Sequence, residues 1–183
     1  MKNFERALKE IDQFCNQTKI EYTIIGGLAL IAHGINRSTE DIDINLLTKL
    51  ENLEETGKNI LSMFDSVCPD PISFFQTKFV LPVIHRISGI GIDFIAGLTG
   101  FDEQAIRRSV KKEFYSLQLP FITIEDLVIY KLFARMKKDL LDLEEIAKIH
   151  KDKLDKTYLD TVLDEFSKLE RNNMLANYQN SFL

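Results

Sequence analysis

Apolar residues recur every three to four positions from Asn3 to Thr18, where Ala7, Leu8, Ile11, Phe14 and Cys15 fall on one stripe, which predicts an amphipathic helix laid on a core. The pattern then changes period. Tyr22 to Ile25 is a continuous apolar run, stopped by Gly26-Gly27 and followed by Leu28, Ala29, Leu30, Ile31 and Ala32, which reads as strand, tight turn and short helix. Gly34 closes that helix, and a loop carrying Arg37 and Thr39 leads into DIDINLL, a strand with acids and apolar residues in alternation. Residues 51–66 are helical through Leu53, Ile60, Leu61 and Phe64, and Pro69 and Pro71 are expected to end that helix. The runs 78–87 and 91–96 are expected strands joined at Ser88-Gly89 as a hairpin. Pro82 cannot donate to a ladder, so its strand is expected at an edge or bulged there. A short helix near 101–110 and a strand near 117–122 follow. Thr123 and Asp126 then make a capping-box-like start for a helix carrying Lys131, and amphipathic helices near 139–151 and 156–170 finish the chain.

The expected class is therefore α/β (α+β), a small mixed sheet covered by helices with further helices at the C-terminal end. Residues 1–124 would form the α/β core and 125–183 a helical region packed on it as one compact unit. At 183 residues and 45% hydrophobic, the chain has material for one sizeable core. Its apolar runs are too short to span a bilayer and its start, MKNFERALKE, is charged, so a cytoplasmic location is expected. Cys15 and Cys68 lack metal-ligand spacing and read as reduced residues of a core. The net charge of −5 argues against a broad nucleic-acid platform, although Arg107, Arg108, Lys111 and Lys112 form a local basic cluster.

The chemistry is concentrated at Asp41 and Asp43. On a strand, side chains at i and i+2 share a face, so both carboxylates point one way while Ile42 and Ile44 point the other. Holding two negative charges on a small, partly buried patch is costly, and a divalent cation such as Mg²⁺ is the usual compensation. The glycine turn lets backbone amides come close to a ligand, and amides at a helix start favour anions, so a triphosphate suits the turn. Arg37 and Thr39 are candidates either to contact phosphate or to orient the Asp41 strand by hydrogen bonds.

In its order, with G-G, a short helix and then R-x-T-x-D-x-D, the chain resembles the polymerase-beta-type minimal nucleotidyltransferase superfamily, and in particular a bacterial branch related to the AbiEii abortive-infection toxins. The resemblance covers roughly residues 20 to 145. It implies a third acid on a neighbouring strand, a role that Asp93 in SGIGIDFIAG fills, with Asp41, Asp43 and Asp93 as metal ligands and catalytic residues for Mg²⁺ or Mn²⁺. Asp93 would stand nearest the acceptor oxygen and could take its proton. A second signature, FITIEDLVIYKLFARMKKDLLDL, carries Lys131, Ala134, Arg135, Lys138, Asp139 and Asp142. Lys131 is the implied cation on the triphosphate, and Arg135, Lys138, Asp139 and Asp142 an ion network that fixes the last helices. Many members of the superfamily have Gly-Ser where this chain has Gly26-Gly27, so a hydroxyl that would touch phosphate is absent from that position.

The implied activity is transfer of a nucleoside monophosphate from a nucleoside triphosphate such as ATP to a hydroxyl of RNA, protein or a small molecule, with release of pyrophosphate. A toxin–antitoxin setting with a small antitoxin partner comes with the same resemblance. The competing reading is a nucleotide-binding or partner-binding module of the same fold without turnover. His33, His85 and His150 do not read as a ligand set, with His33 a minor candidate beside the turn.

Overall fold

The structure, a computed structural model, describes residues 2–134 and 137–168. Its described residues divide into two compact units, one of residues 2–32 and 36–122, the other of residues 33–35 and those from 123 to 168.

The first unit opens with helix α1 (Lys2–Thr18), then strand β1 (Tyr22–Ile25), helix α2 (Gly26–Ala32) and strand β2 (Asp41–Leu47). Helix α3 (Leu53–Met63), the two-residue strand β3 (Asp65–Ser66), helix α4 (Pro71–Lys78), and strands β4 (Val80–Ile84) and β5 (Gly91–Gly97) follow. Helix α5 (Gly100–Arg108) and the hairpin of β6 (Val110–Phe114) and β7 (Leu117–Phe121) complete it. The strands form one mixed sheet in the order β3-β4-β5-β2-β1-β7-β6. Its centre is the parallel pair β2 and β5, with β1 antiparallel on the other side of β2.

Alternation along the central strands divides the sheet into two faces. Ile24, Ile42, Ile44, Leu46, Ile92 and Phe94 are buried on one of them, against the apolar stripe of α1. An aromatic cluster joins the layers there, with the Phe14 ring 6.0 Å from Phe94 and Phe64 5.4 Å from Phe94. Gly57 brings α3 and α4 together on this side, because a Cβ at residue 57 would sit 2.8 Å from the Ile72 side chain. Burial of Cys15 pushes its thiol well above the ordinary range, and the nearby Asp12 pushes the same way, so it stays protonated and serves as core.

Three elements differ from the sequence expectation. Residues 65–66, expected within the helix of 51–66, form β3 instead, because the backbone is already extended at Phe64 (φ −121°, ψ 154°) and Asp65 and Ser66 pair with Ile84 and Val83. Residues 71–78, where the sequence pattern predicts no helix, form one because Pro71 occupies the first helical turn, where its missing N–H costs nothing, and the Asp70 carboxylate accepts from Ser73 N at 3.3 Å. The proline expected to end one helix starts the next. Strand β6 is the third. Its two-residue turn to β7 holds Tyr115 and Ser116 at φ 49° and 64°, a conformation that Asn-Gly usually announces and Tyr-Ser does not. Pro82 lies one strand in from the edge, on β4, but the short β3 pairs only with Val83 and Ile84 and so asks nothing of its nitrogen.

In the second unit, helices α6 (Ile124–Ala134), α7 (Lys137–His150) and α8 (Lys156–Ser167) are tied by buried polar contacts. The expected cap of α6 is present: Asp126 N donates to Thr123 Oγ1 at 3.2 Å and Thr123 Oγ1 donates to Asp126 Oδ2 at 2.7 Å. Tyr158 OH of α8 donates to the other oxygen of the same buried carboxylate, joining α8 to α6.

Candidate active site

Strands β2 and β5 run parallel with Asp41 opposite Gly91 and Asp43 opposite Asp93. Residues in register on neighbouring strands share a face, and alternation keeps Asp41 with Asp43, so all three aspartates lie on the face away from the aromatic core. Asp41 is exposed, and Asp43 and Asp93 are half-buried. Two carboxylates in register on neighbouring strands repel one another, and a cation between them turns that repulsion into attraction. Such a pair on the centre of a sheet invites a cation.

The glycine turn closes over these acids. Gly26 has φ +63°, and a Cβ built there would stand 1.8 Å from Asp43 Oδ2. A Cβ on Gly27 would stand 2.6 Å from Thr39 Oγ1, and that hydroxyl in turn lies 2.8 Å from Asp41 Oδ1. Gly26 therefore brings backbone against the Asp43 carboxylate, and Gly27 brings it against the threonine that hydrogen-bonds Asp41. Arg37 lies half-buried in the loop leading to β2.

Among the described residues, no three His, Cys, Asp or Glu side chains are gathered so as to hold a metal ion by themselves. Magnesium seldom needs such a cage, since one or two carboxylates, waters and substrate phosphate oxygens normally complete its octahedron. The donor set on this face is carboxylate oxygen, which suits a hard cation of that kind and not a soft one.

Asn45 continues the acid face and was not among the sequence candidates, although the i+2 spacing Asp41, Asp43, Asn45 signals it. It is fully buried, and its Nδ2 donates to Asp102 Oδ1 at 3.2 Å. Asp102 also closes the capping box of α5 with Thr99, accepting from Thr99 N at 3.0 Å. The start of α5 is thereby fastened over the end of the site strand, and Gly97 is needed beneath it, where a Cβ would meet Asn45 Oδ1 at 2.7 Å.

Lys131 sits elsewhere in chemical terms. In the second unit its side chain is 8% exposed, with Nζ 2.6 Å from Asp142 Oδ2 and 3.2 Å from Asp139 Oδ1, both carboxylates nearly buried. The ammonium expected on a triphosphate thus already holds α6 to α7 through two charge-assisted hydrogen bonds. Lys138 and Ala134 are exposed, and Arg135 lies outside the described residues. The basic cluster does not form one patch: Lys111 and Lys112 are adjacent on β6 and so face opposite sides of the sheet, while Arg107 pairs with Glu103 at 2.8 Å on α5. His85 is buried in the first unit with Nδ1 accepting from Ser88 N at 3.1 Å, whereas His150 Nε2 donates to the His33 carbonyl at 2.8 Å in the second. No helix among the described residues is long and apolar enough to cross a membrane.

A mixed sheet with a glycine turn at the end of its first strand and acids in register on the next two defines a nucleotidyltransferase fold. The likeness extends to solved structures. The antibiotic-resistance factor ANT(2'')-Ia superposes with a TM-score of 0.59 at 12% identity, covering 94% of this chain and 98% of its own. An antigenic nucleotidyltransferase-like protein from Paracoccidioides brasiliensis gives 0.56 at 15% identity, covering 98% and 93%. The lincosamide antibiotic adenylyltransferase LnuA, in a lincomycin-bound structure, gives 0.50 at 16% identity over 78% and 95%. At these identities the likeness is one of fold. A family model described as a nucleotidyltransferase of unknown function, DUF6036, matches residues 2–182, and the chain belongs to that family. A search of curated protein sequences finds no match.

Proposed function

We propose that this protein transfers a nucleoside monophosphate from a nucleoside triphosphate to an acceptor hydroxyl, releasing pyrophosphate, with Mg²⁺ or Mn²⁺ bound at Asp41 and Asp43. The observation that carries the reading is the pairing of Asp43 with Asp93 in register on one face, with the Gly26 backbone packed on the Asp43 carboxylate. Bound magnesium would supply charge neutralisation for the attacking and leaving oxygens. The chain's own residues do the rest. Asp41 and Asp43 would hold the cation that binds the triphosphate, and Gly26, Gly27 and Arg37 line the side proposed for the phosphates. Asp93, on the adjoining strand, holds the acceptor oxygen and takes its proton, a role for which a carboxylate beside the reacting oxygen is suited. Lys131 enters this reading as the pin of the second unit, and no phosphate contact is assigned to it.

For the acceptor, the net charge of −5 favours a cationic small molecule or a protein, and the binding of lincomycin by LnuA supports the small molecule. The resemblance to AbiEii-like toxins favours RNA instead, with an antitoxin partner and a cytoplasmic site of action. Incubation of the protein with α-labelled nucleoside triphosphates, Mg²⁺ and a cell extract separates these acceptors by fractionation. Label is expected in one fraction with wild type and in none with Asp41→Ala. Equal labelling by both proteins contradicts the assignment, and bound nucleotide without transferred label converts the reading to a non-catalytic binding module.

A further inference from the structure

We infer that Thr39 is the positioning residue for Asp41, and that residue 27 is glycine because the Thr39 side chain occupies the space that any side chain there would need. The first half rests on the metal-binding reading of Asp41 given above, and the second rests on packing alone.

Thr39 Oγ1 is wedged between two groups. On one side Asp41 Oδ1 lies at 2.8 Å, with the Asp41 carbonyl oxygen farther off at 3.2 Å. On the other is the Gly27 backbone, where an added Cβ would stand 2.6 Å from Oγ1 and 2.7 Å from Thr39 Cβ. Both of those atoms sit next to the threonine backbone and cannot swing clear as the tip of a long side chain would. Branching at Cβ further restricts the first torsion. The hydroxyl has a single proton, which goes to the nearer acceptor, the carboxylate. It therefore fixes one oxygen of Asp41 and leaves the other for a cation. Magnesium tolerates little departure from octahedral geometry, so a carboxylate held in one rotation binds it better than one that turns freely.

The metal arm of the test uses Mn²⁺, titrated by electron paramagnetic resonance in the presence of a non-hydrolysable triphosphate analogue. Thr39→Val keeps the branched shape and removes the hydroxyl, and should weaken Mn²⁺ binding about 10-fold or more. Thr39→Ser restores the hydroxyl and should recover wild-type binding to within about threefold, a rescue that packing alone does not give. Thr39→Val binding as tightly as wild type, or Thr39→Ser failing as badly as valine, overturns the positioning role. Wild type taking up no Mn²⁺ overturns it too, together with the metal assignment of Asp41.

The packing arm is a double-mutant cycle read by urea unfolding, which needs neither metal nor activity. Gly27→Ala should lower the unfolding midpoint of the wild-type protein. In a Thr39→Gly background, where both crowding atoms are gone, the same change should leave the midpoint unchanged or raise it, since alanine is the better helix residue. An equal loss in both backgrounds contradicts the size pairing.

Discussion

Lys131→Met is expected to destabilise the second unit by about 3–5 kcal/mol, the usual cost of removing one partner from a buried ion group. The cation is shared by Asp139 and Asp142, one turn apart on α7, and all three side chains are 8% exposed or less. Methionine fills most of the volume, so the loss is electrostatic: Asp139 and Asp142, both buried, lose the ammonium they share. Urea unfolding followed by circular dichroism measures it. Replacing the whole group, as in Lys131→Met with Asp139→Leu and Asp142→Leu, should cost much less than the single change, because desolvation is then removed along with attraction. If Lys131→Met leaves stability within about 0.5 kcal/mol of wild type, the range of ordinary surface changes, the lysine is not the pin described here. A single change that leaves stability intact yet abolishes transfer would return it to the nucleotide.

Gly26→Ala is expected to lower transfer activity about 100-fold or more while the protein still folds, because displacing a reacting group by about 1 Å is enough for a loss of that order. The new methyl group would lie 1.8 Å from Asp43 Oδ2, so either the carboxylate or the turn must move, and both belong to the site. The backbone at φ +63° adds a cost of about 1–2 kcal/mol for any residue with a Cβ. Gly34→Ala separates the two effects. Its φ is +84° but nothing lies within 4 Å of the added carbon, so it should show the loss of stability without the loss of transfer. Equal loss of transfer in both variants would assign the effect of Gly26 to backbone strain and not to its contact with Asp43.

What the sequence reveals of this molecule is what alternation can carry. The spacing of Asp41 and Asp43, and of Ile92, Asp93 and Phe94, predicts which side chains share a face, and the β2–β5 register then brings the two strands' acids together. The capping residues Thr123 and Asp126 act within one helical turn and are equally legible. Contacts between separate elements are not. Nothing local says that Lys131 meets residues 8 and 11 positions later on the next helix, or that Thr39 fills the space above Gly27. Strand β6 escapes the pattern because its turn lacks the glycine or asparagine that such a turn favours, and α4 because a proline marks the first turn of a helix as readily as the end of one.

The central claim is that the aspartates on one sheet face bind a triphosphate through a divalent cation. Isothermal titration of wild type and Asp43→Asn with a nucleoside triphosphate, in Mg²⁺ and in EDTA, tests it most directly. Wild type should bind at least about 10-fold more tightly with Mg²⁺ than in EDTA, as expected when a carboxylate-held ion joins ligand to protein, and Asp43→Asn should lose that difference. Wild-type binding that is unchanged by EDTA, or an Asp43→Asn protein that keeps the full effect of Mg²⁺, would contradict it.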